Sequence, residues 1–132
     1  MTFDAQATFA NLTEKERLRG HHSAEGRAIR TLSRALNGWS NGNLAADDVI
    51  VLCDQAVEDW LKARLKLSQW SAKNFSELLK AATDNHYLMP TEAKRLWQMH
   101  QLRAQNDPAA RSVADVEAVL AGCIEIIETY WS

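Results

Sequence analysis

The sequence predicts an all-α fold, an antiparallel bundle of four to five helices joined by short connections. Three observations point there. Apolar residues recur three and four positions apart through most of the 132-residue chain, the spacing of one helix face. No segment alternates with period two over a convincing strand length. Only two prolines and five glycines interrupt the chain, too few breaks for a many-turned β architecture.

Residues 1–10 read as a loosely held leader, with Phe3 and Phe9 able to pin it to a surface, and residues 11–132 as one helical domain. Thr13 and Glu16 form an S/T-x-x-E capping box, so a helix is expected to start there. The apolar pattern runs through Leu18 and resumes at Ile29, Leu32, Leu36 and Trp39. Gly20 and Gly26 weaken its middle, which leaves either one long helix or two pieces broken near "GHHSAEG". "NGWSNGN", 37–43, reads as a loop from its Gly and Asn content.

The next helix is the clearest. Asp47 and Asp48 place negative charge at its start, and Lys62, Arg64 and Lys66 place positive charge at its end, as the helix dipole favours. Val49, Leu52, Cys53, Ala56, Trp60 and Leu61 supply the apolar stripe. "VIVLC" could pass for a strand, but the helical spacing continues through Leu61. A shorter helix is expected over roughly 74–84, ended by Asp84 and Asn85. Pro90 suits the first turn of the following helix, which carries Ala93, Leu96, Trp97, Met99 and Leu102 and stops before Asn106-Asp107-Pro108. Ser112 caps the last helix with Asp115 in its first turn. Its stripe is Val116, Leu120, Cys123, Ile127 and Tyr130. Trp60 and Leu120, central in their stripes, are expected to be buried.

Hydrophobic residues make up 46% and charged residues 24% of the chain, a globular rather than disordered balance. The net charge of -2 gives no overall electrostatic signature of nucleic-acid binding. Cys53 and Cys123 fall inside apolar stripes without metal-ligand spacing and read as small buried hydrophobes in a reducing compartment. No apolar run approaches ~18 residues, so no membrane span is expected. The opening "MTFDAQATFA" lacks the pattern of a signal peptide. A cytoplasmic location follows as the expectation.

The order of elements from Ala56 to Tyr130 resembles the HEPN domains (higher eukaryotes and prokaryotes nucleotide-binding). The matching segments are "AVEDWLKARLKL", then "NFSELLKAA", then "EAKRLWQMHQLR", then a turn, then "SVADVEAVLAGCIEIIETYW". They cover about three-fifths of the chain, and the helix at 27–39 would supply the remaining bundle member. In active members an Arg is followed by a polar residue and, four to six residues later, by a His. Two copies then build a composite ribonuclease site at a dimer interface. Such chemistry needs a cation for the scissile phosphate and a group that moves the ribose hydroxyl's proton.

Only the Arg carries over, as Arg103. Ala104 takes the polar position, and Pro108, Ala109 and Ala110 fill the window for His. The resemblance therefore implies a non-catalytic binding or regulatory module, a homodimer whose ligand is RNA, a nucleotide or a protein partner. The alternatives are a ribonuclease or nucleotide-handling enzyme of toxin–antitoxin type, using Arg103 with an unconventional partner, and a helical scaffold without a ligand. His100, one turn before Arg103, reverses the family order and reads as a satisfied helix-surface His. Arg103 itself suits the last turn of a helix, where it can bond free carbonyls. Asn106 and Asp107 read first as turn formers and then as partners orienting Arg103.

A secondary basic face comes from Arg27, Arg30 and Arg34 at i, i+3 and i+7. It could follow a phosphate backbone, but the commoner reading is a solvated face or one paired with Asp47, Asp54 and Glu58. His21 and His22 are adjacent and point apart, and Asp54 with Glu58 lacks a His-bearing partner motif. No metal or cofactor is expected, and the phosphate-loop, dinucleotide, zinc-protease and hydrolase motifs are absent.

Overall fold

Six α-helices follow one another among the residues that the computed structural model describes, 4–104 and 112–130. They are α1 (Ala5–Arg19), α2 (Ala24–Ser40), α3 (Ala46–Arg64), α4 (Phe75–Asp84), α5 (Pro90–Ala104) and α6 (Val113–Thr129). The all-helical expectation holds among these residues. The count of four to five helices does not, because the segment before residue 20 forms a full helix of its own.

α1 begins at Ala5 and not at Thr13. Asp4 caps it, its carboxylate accepting the N–H groups of Gln6 and Ala7 at 3.0 and 3.1 Å. Thr13 lies mid-helix, its hydroxyl donating to the Phe9 carbonyl. Residues 5–10, placed in the leader by sequence, are therefore the first turns of α1. Its inward stripe is Ala5, Phe9, Leu12 and Glu16, helical spacing whose last member is a carboxylate. The break before α2 falls at Gly20, where φ is 93°. Ser23 then caps α2 by accepting the Gly26 N–H at 2.9 Å.

α2 continues through Ser40, so residues 37–40 are helical where composition reads as loop. The chain turns only after Asn41, at Gly42, where φ is 73°. Tertiary packing overrides local propensity here: Trp39 is half-buried against the core, and Leu44 lies directly over Gly38.

α3 packs against α2, α4, α5 and α6, and α1 lies on α2. Val49, Ile50, Cys53, Ala56, Val57, Trp60 and Leu61 of α3 are all buried, so it is the central helix of the bundle. α4 opens with a capping box, the Asn74 side chain on the Glu77 N–H and the Glu77 carboxylate on the Asn74 N–H. α6 opens with the same device built from Ser112 and Asp115. Its stripe of Val116, Leu120, Cys123 and Ile127 is buried as expected, with Trp60 and Leu120 both in the core. Cys53 and Cys123 are free and buried. The Cys53 thiol is held well above its ordinary pKa by its hydrogen bond to Cys123 and by burial. Among the described residues no helix is long and apolar enough to cross a membrane.

Charge ties the first three helices together. Glu25 of α2 meets Arg19 of α1 at 3.1 Å and Arg64 of α3 at 3.4 Å. Arg64 in turn lies over the Trp60 ring, 5.4 Å from its centroid.

The turn between α1 and α2 depends on the missing side chain of Gly26. A Cβ there would lie 2.1 Å from the Gly20 carbonyl oxygen, a backbone atom that cannot step aside cheaply. Alanine's better helix propensity is worth only ~1 kcal/mol, and overpacking costs ~1–3 kcal/mol. Gly26→Ala is thus expected to lower stability in urea unfolding. A gain would mean that the turn is free to open.

Candidate functional site

The site grows from one carboxylate on α3. Asp54 follows Cys53 and sits four residues after Ile50 and three before Val57, both core residues. That register carries its side chain inward, and the residue is only 6% exposed. A buried carboxylate is costly unless charged and hydrogen-bonded partners surround it. α5 supplies two. His100 Nδ1 lies 2.7 Å from Asp54 Oδ1, and Arg103 Nη1 donates to Asp54 Oδ2 at 2.6 Å. A carboxylate can only accept, so Nδ1 carries the proton and the imidazole orientation is fixed.

Residues three apart on a helix share a face, and this spacing lets α5 present an imidazole and a guanidinium to one acceptor. The imidazole is held from the side as well. Phe75, the first residue of α4, stacks on His100 at 4.2 Å between centroids with 5° between planes, and Trp97 approaches at 5.5 Å and 35°. α3, α4 and α5 therefore meet at His100. The His100 side chain is 28% exposed and that of Arg103 37%, so the cluster has a buried floor and a solvent-facing rim.

Asp54 lines a gap of about 10 Å³ together with apolar residues such as Ile50, Phe75 and Val119. A cleft of about 320 Å³ opens between α5 and α6, bordered by Arg95, Gln98, Met99, Leu102, Ala118 and Val119. Gly122 forms part of this contact. A Cβ there would come within 3.1 Å of Arg95 Nη2 and Met99 Sδ.

Of the residues singled out by sequence, His100 and Arg103 come together. Asn106 and Asp107 lie outside the described residues. His100 is a bridging residue between three helices, where sequence placed it on a helix surface. Asp54 and Phe75 were missed as their partners. The available signal was the position of Asp54 within an otherwise apolar stripe, which a solvated carboxylate would not occupy.

Of the two readings of the basic face of α2, a solvated face or one paired with Asp47, Asp54 and Glu58, the solvated one fits Arg34, while Arg27 and Arg30 bond elsewhere. Arg30 reaches back to Glu16, with Nε 3.4 Å from the carboxylate, and also donates to the His21 carbonyl. Arg27 donates to the His22 carbonyl at 2.9 Å. Arg34 is exposed. Asp54 is already taken, and Glu58 lies 3.4 Å from Lys62. Among the described residues no group of three or more His, Cys, Asp or Glu side chains is arranged to hold a metal ion.

No protein-family model matches this chain, and no curated protein or solved structure is significantly similar to it.

Five residues beyond Asp54 on α3, Asp59 is held above the ordinary carboxylate range. Burial raises its pKa and the Glu58 charge adds to that, against the hydrogen bond from Gln55 at 3.0 Å and the charges of Lys62 and Arg27. A carboxyl raised in the fold binds its proton more tightly than in the unfolded chain. That contribution is complete below the unfolded value of ~3.9 and is lost as pH rises through the folded value. Asp59→Asn keeps an acceptor for Gln55 and removes the charge. It is expected to raise Tm at neutral pH, with the difference closing as pH falls below about 4. A lower Tm at neutral pH would show that Lys62 and Arg27 outweigh burial.

Proposed function

We propose that this chain is a non-catalytic, HEPN-like binding or regulatory module that works as a homodimer. The sharing of buried Asp54 by His100 and Arg103 is the observation that favours this reading. Asp54 takes one N–H of Arg103 at 2.6 Å, which ties α5 to α3 and offsets part of the guanidinium charge, and breaking such a pair costs ~3–5 kcal/mol. The rest of the guanidinium lies on the exposed rim, placed to hold a ligand and weakened as a phosphate-activating cation. The positions where the family carries its proton-transfer His are Pro108, Ala109 and Ala110, and none of these can move a proton.

The second copy would meet the solvent side of α5. Trp97 is exposed there, and Met99 and Leu102 are half-buried beside the α5–α6 cleft. Aromatic residues and Met are enriched in the centres of interfaces. A two-fold contact on this face would bring both Arg103 rims towards one groove. RNA, a nucleotide or an acidic protein segment is the chemistry such a groove would take.

One feature favours the enzymatic alternative. The hydrogen bond to Asp54 assigns the proton to Nδ1, so a neutral His100 would present Nε2 as a base, oriented by a carboxylate as in many acid–base sites. His100 is then the unconventional partner of Arg103, and the protein is a ribonuclease or nucleotide-handling enzyme.

Two measurements on the purified chain decide between these readings. Labelled RNA is expected to remain intact with and without divalent metal, and light scattering is expected to give twice the 14.9 kDa chain mass. RNA cleavage that disappears in both His100→Ala and Arg103→Ala would establish the enzyme instead. A monomer mass would remove the shared groove.

A further inference from the structure

The connection between α3 and α4 presents an indole to water. Trp70 is 83% exposed, more than any other large apolar side chain among the described residues. An indole left in solvent gains none of the burial energy that usually accounts for a Trp. Yet the backbone around it is well fastened. The Trp70 N–H donates to Ser68 Oγ at 3.1 Å, and the Ser71 N–H donates to the Ser68 carbonyl at 3.0 Å. Lys62, only 7% exposed, donates Nζ to the Gln69 carbonyl at 3.0 Å. Lys66, at φ 57°, turns the chain out of α3. A buried ammonium and a left-handed residue thus hold the loop in a shape that displays Trp70.

The charges carried by the loop itself have one sign. From residue 60 to 76 the chain contains Lys62, Arg64, Lys66 and Lys73 and no acidic residue. Lys62 is matched by Glu58 and Arg64 by Glu25, each at 3.4 Å. Lys66 and Lys73 are exposed and have no ion-pair partner among the described residues. Arg27 of α2 borders the same small cavity as Leu67 and Gln69, so the basic edge of α2 adjoins the loop. Arg27 and Lys62 face Asp59 there, which leaves the excess charge on the loop itself.

We infer that the Trp70 loop is a binding site for single-stranded nucleic acid, with the indole stacking on a base and Lys66 and Lys73 holding the adjacent phosphates. An open aromatic face beside unpaired cations is the combination that such ligands use, and it is tolerant of sequence because every base has a π-face. The flanking residues Ser68, Gln69, Ser71 and Ala72 are small or polar, so they leave the ring faces accessible and offer little to a lipid interior. This site is separate from the cluster around Arg103 and does not depend on the reading proposed for it.

Fluorescence anisotropy with labelled single-stranded oligouridine and oligothymidine, on the full chain at low salt, tests the inference. Trp70→Ala is expected to weaken binding about tenfold or more, the loss of one stacked base. Circular dichroism should show its fold intact, since so exposed a side chain supports little of the core. Lys66→Ala with Lys73→Ala should reduce the slope of log affinity against log salt by about 1.4, two phosphate contacts in a single strand. Absence of binding at low salt, or equal binding by Trp70→Ala, overturns the site. So does Trp70-dependent binding to phosphatidylserine vesicles without binding to either oligonucleotide.

Discussion

A carboxylate inside the central helix has to be answered by another element, and in this bundle that demand fixes where α5 lies. Asp54 occupies an inward position of α3, the helix that touches four of the other five. Among the described residues, the burial of its charge is compensated by the hydrogen bonds of His100 and Arg103, at 2.7 and 2.6 Å. Those two donors are three residues apart on α5, so both bonds form together only at one rotation and one axial position of that helix. Apolar packing alone tolerates sliding and repacking. A buried two-donor contact does not, and it places the α5 side of the α5–α6 cleft by the same act.

The same solution recurs between α1 and α2. Glu16 holds the last inward position of α1 and is buried, with His21 Nδ1 at 2.7 Å and Arg30 Nε at 3.4 Å. Each buried carboxylate is thus answered by one imidazole and one guanidinium, and each joins helices that the apolar stripe alone would specify weakly. α1 illustrates the consequence, since Phe9 and Leu12 are the only large apolar groups it offers the core. A removed partner in either cluster leaves an uncompensated buried charge, which is more damaging than loss of an exposed pair worth ~0–1 kcal/mol.

Local signals made much of the fold legible. Asp47 and Asp48 at the start of α3, Pro90 at the start of α5 and the Ser112–Asp115 box of α6 are encoded within one helical turn, and they mark those helix starts correctly. α1 escaped because its stripe of Ala5, Phe9, Leu12 and Glu16 ends in a charge, and because Thr13 and Glu16 mimic a cap. The end of α2 escaped because Gly38 and Asn41 read as loop, whereas Leu44 folds over Gly38 and keeps the helix going. In the candidate site, the pairing of His100 with Arg103 could be read from their spacing. The apolar stripe around Asp54 marks it as buried, but not as their shared partner, since Asp54 is 46 residues from His100 in sequence.

The functional proposals meet in the same constraint. If Asp54 organises α5, then Arg103 is a structural cation with an exposed rim, and the surface available to ligands is what α5 and the Trp70 loop present outward. A double-mutant cycle on Asp54→Ala and Arg103→Ala, followed by urea unfolding, addresses this directly. The account predicts a coupling energy of at least ~1 kcal/mol, the range seen within one buried network. Additivity of the two substitutions within ~0.3–0.5 kcal/mol would contradict it and leave α5 positioned by apolar packing alone.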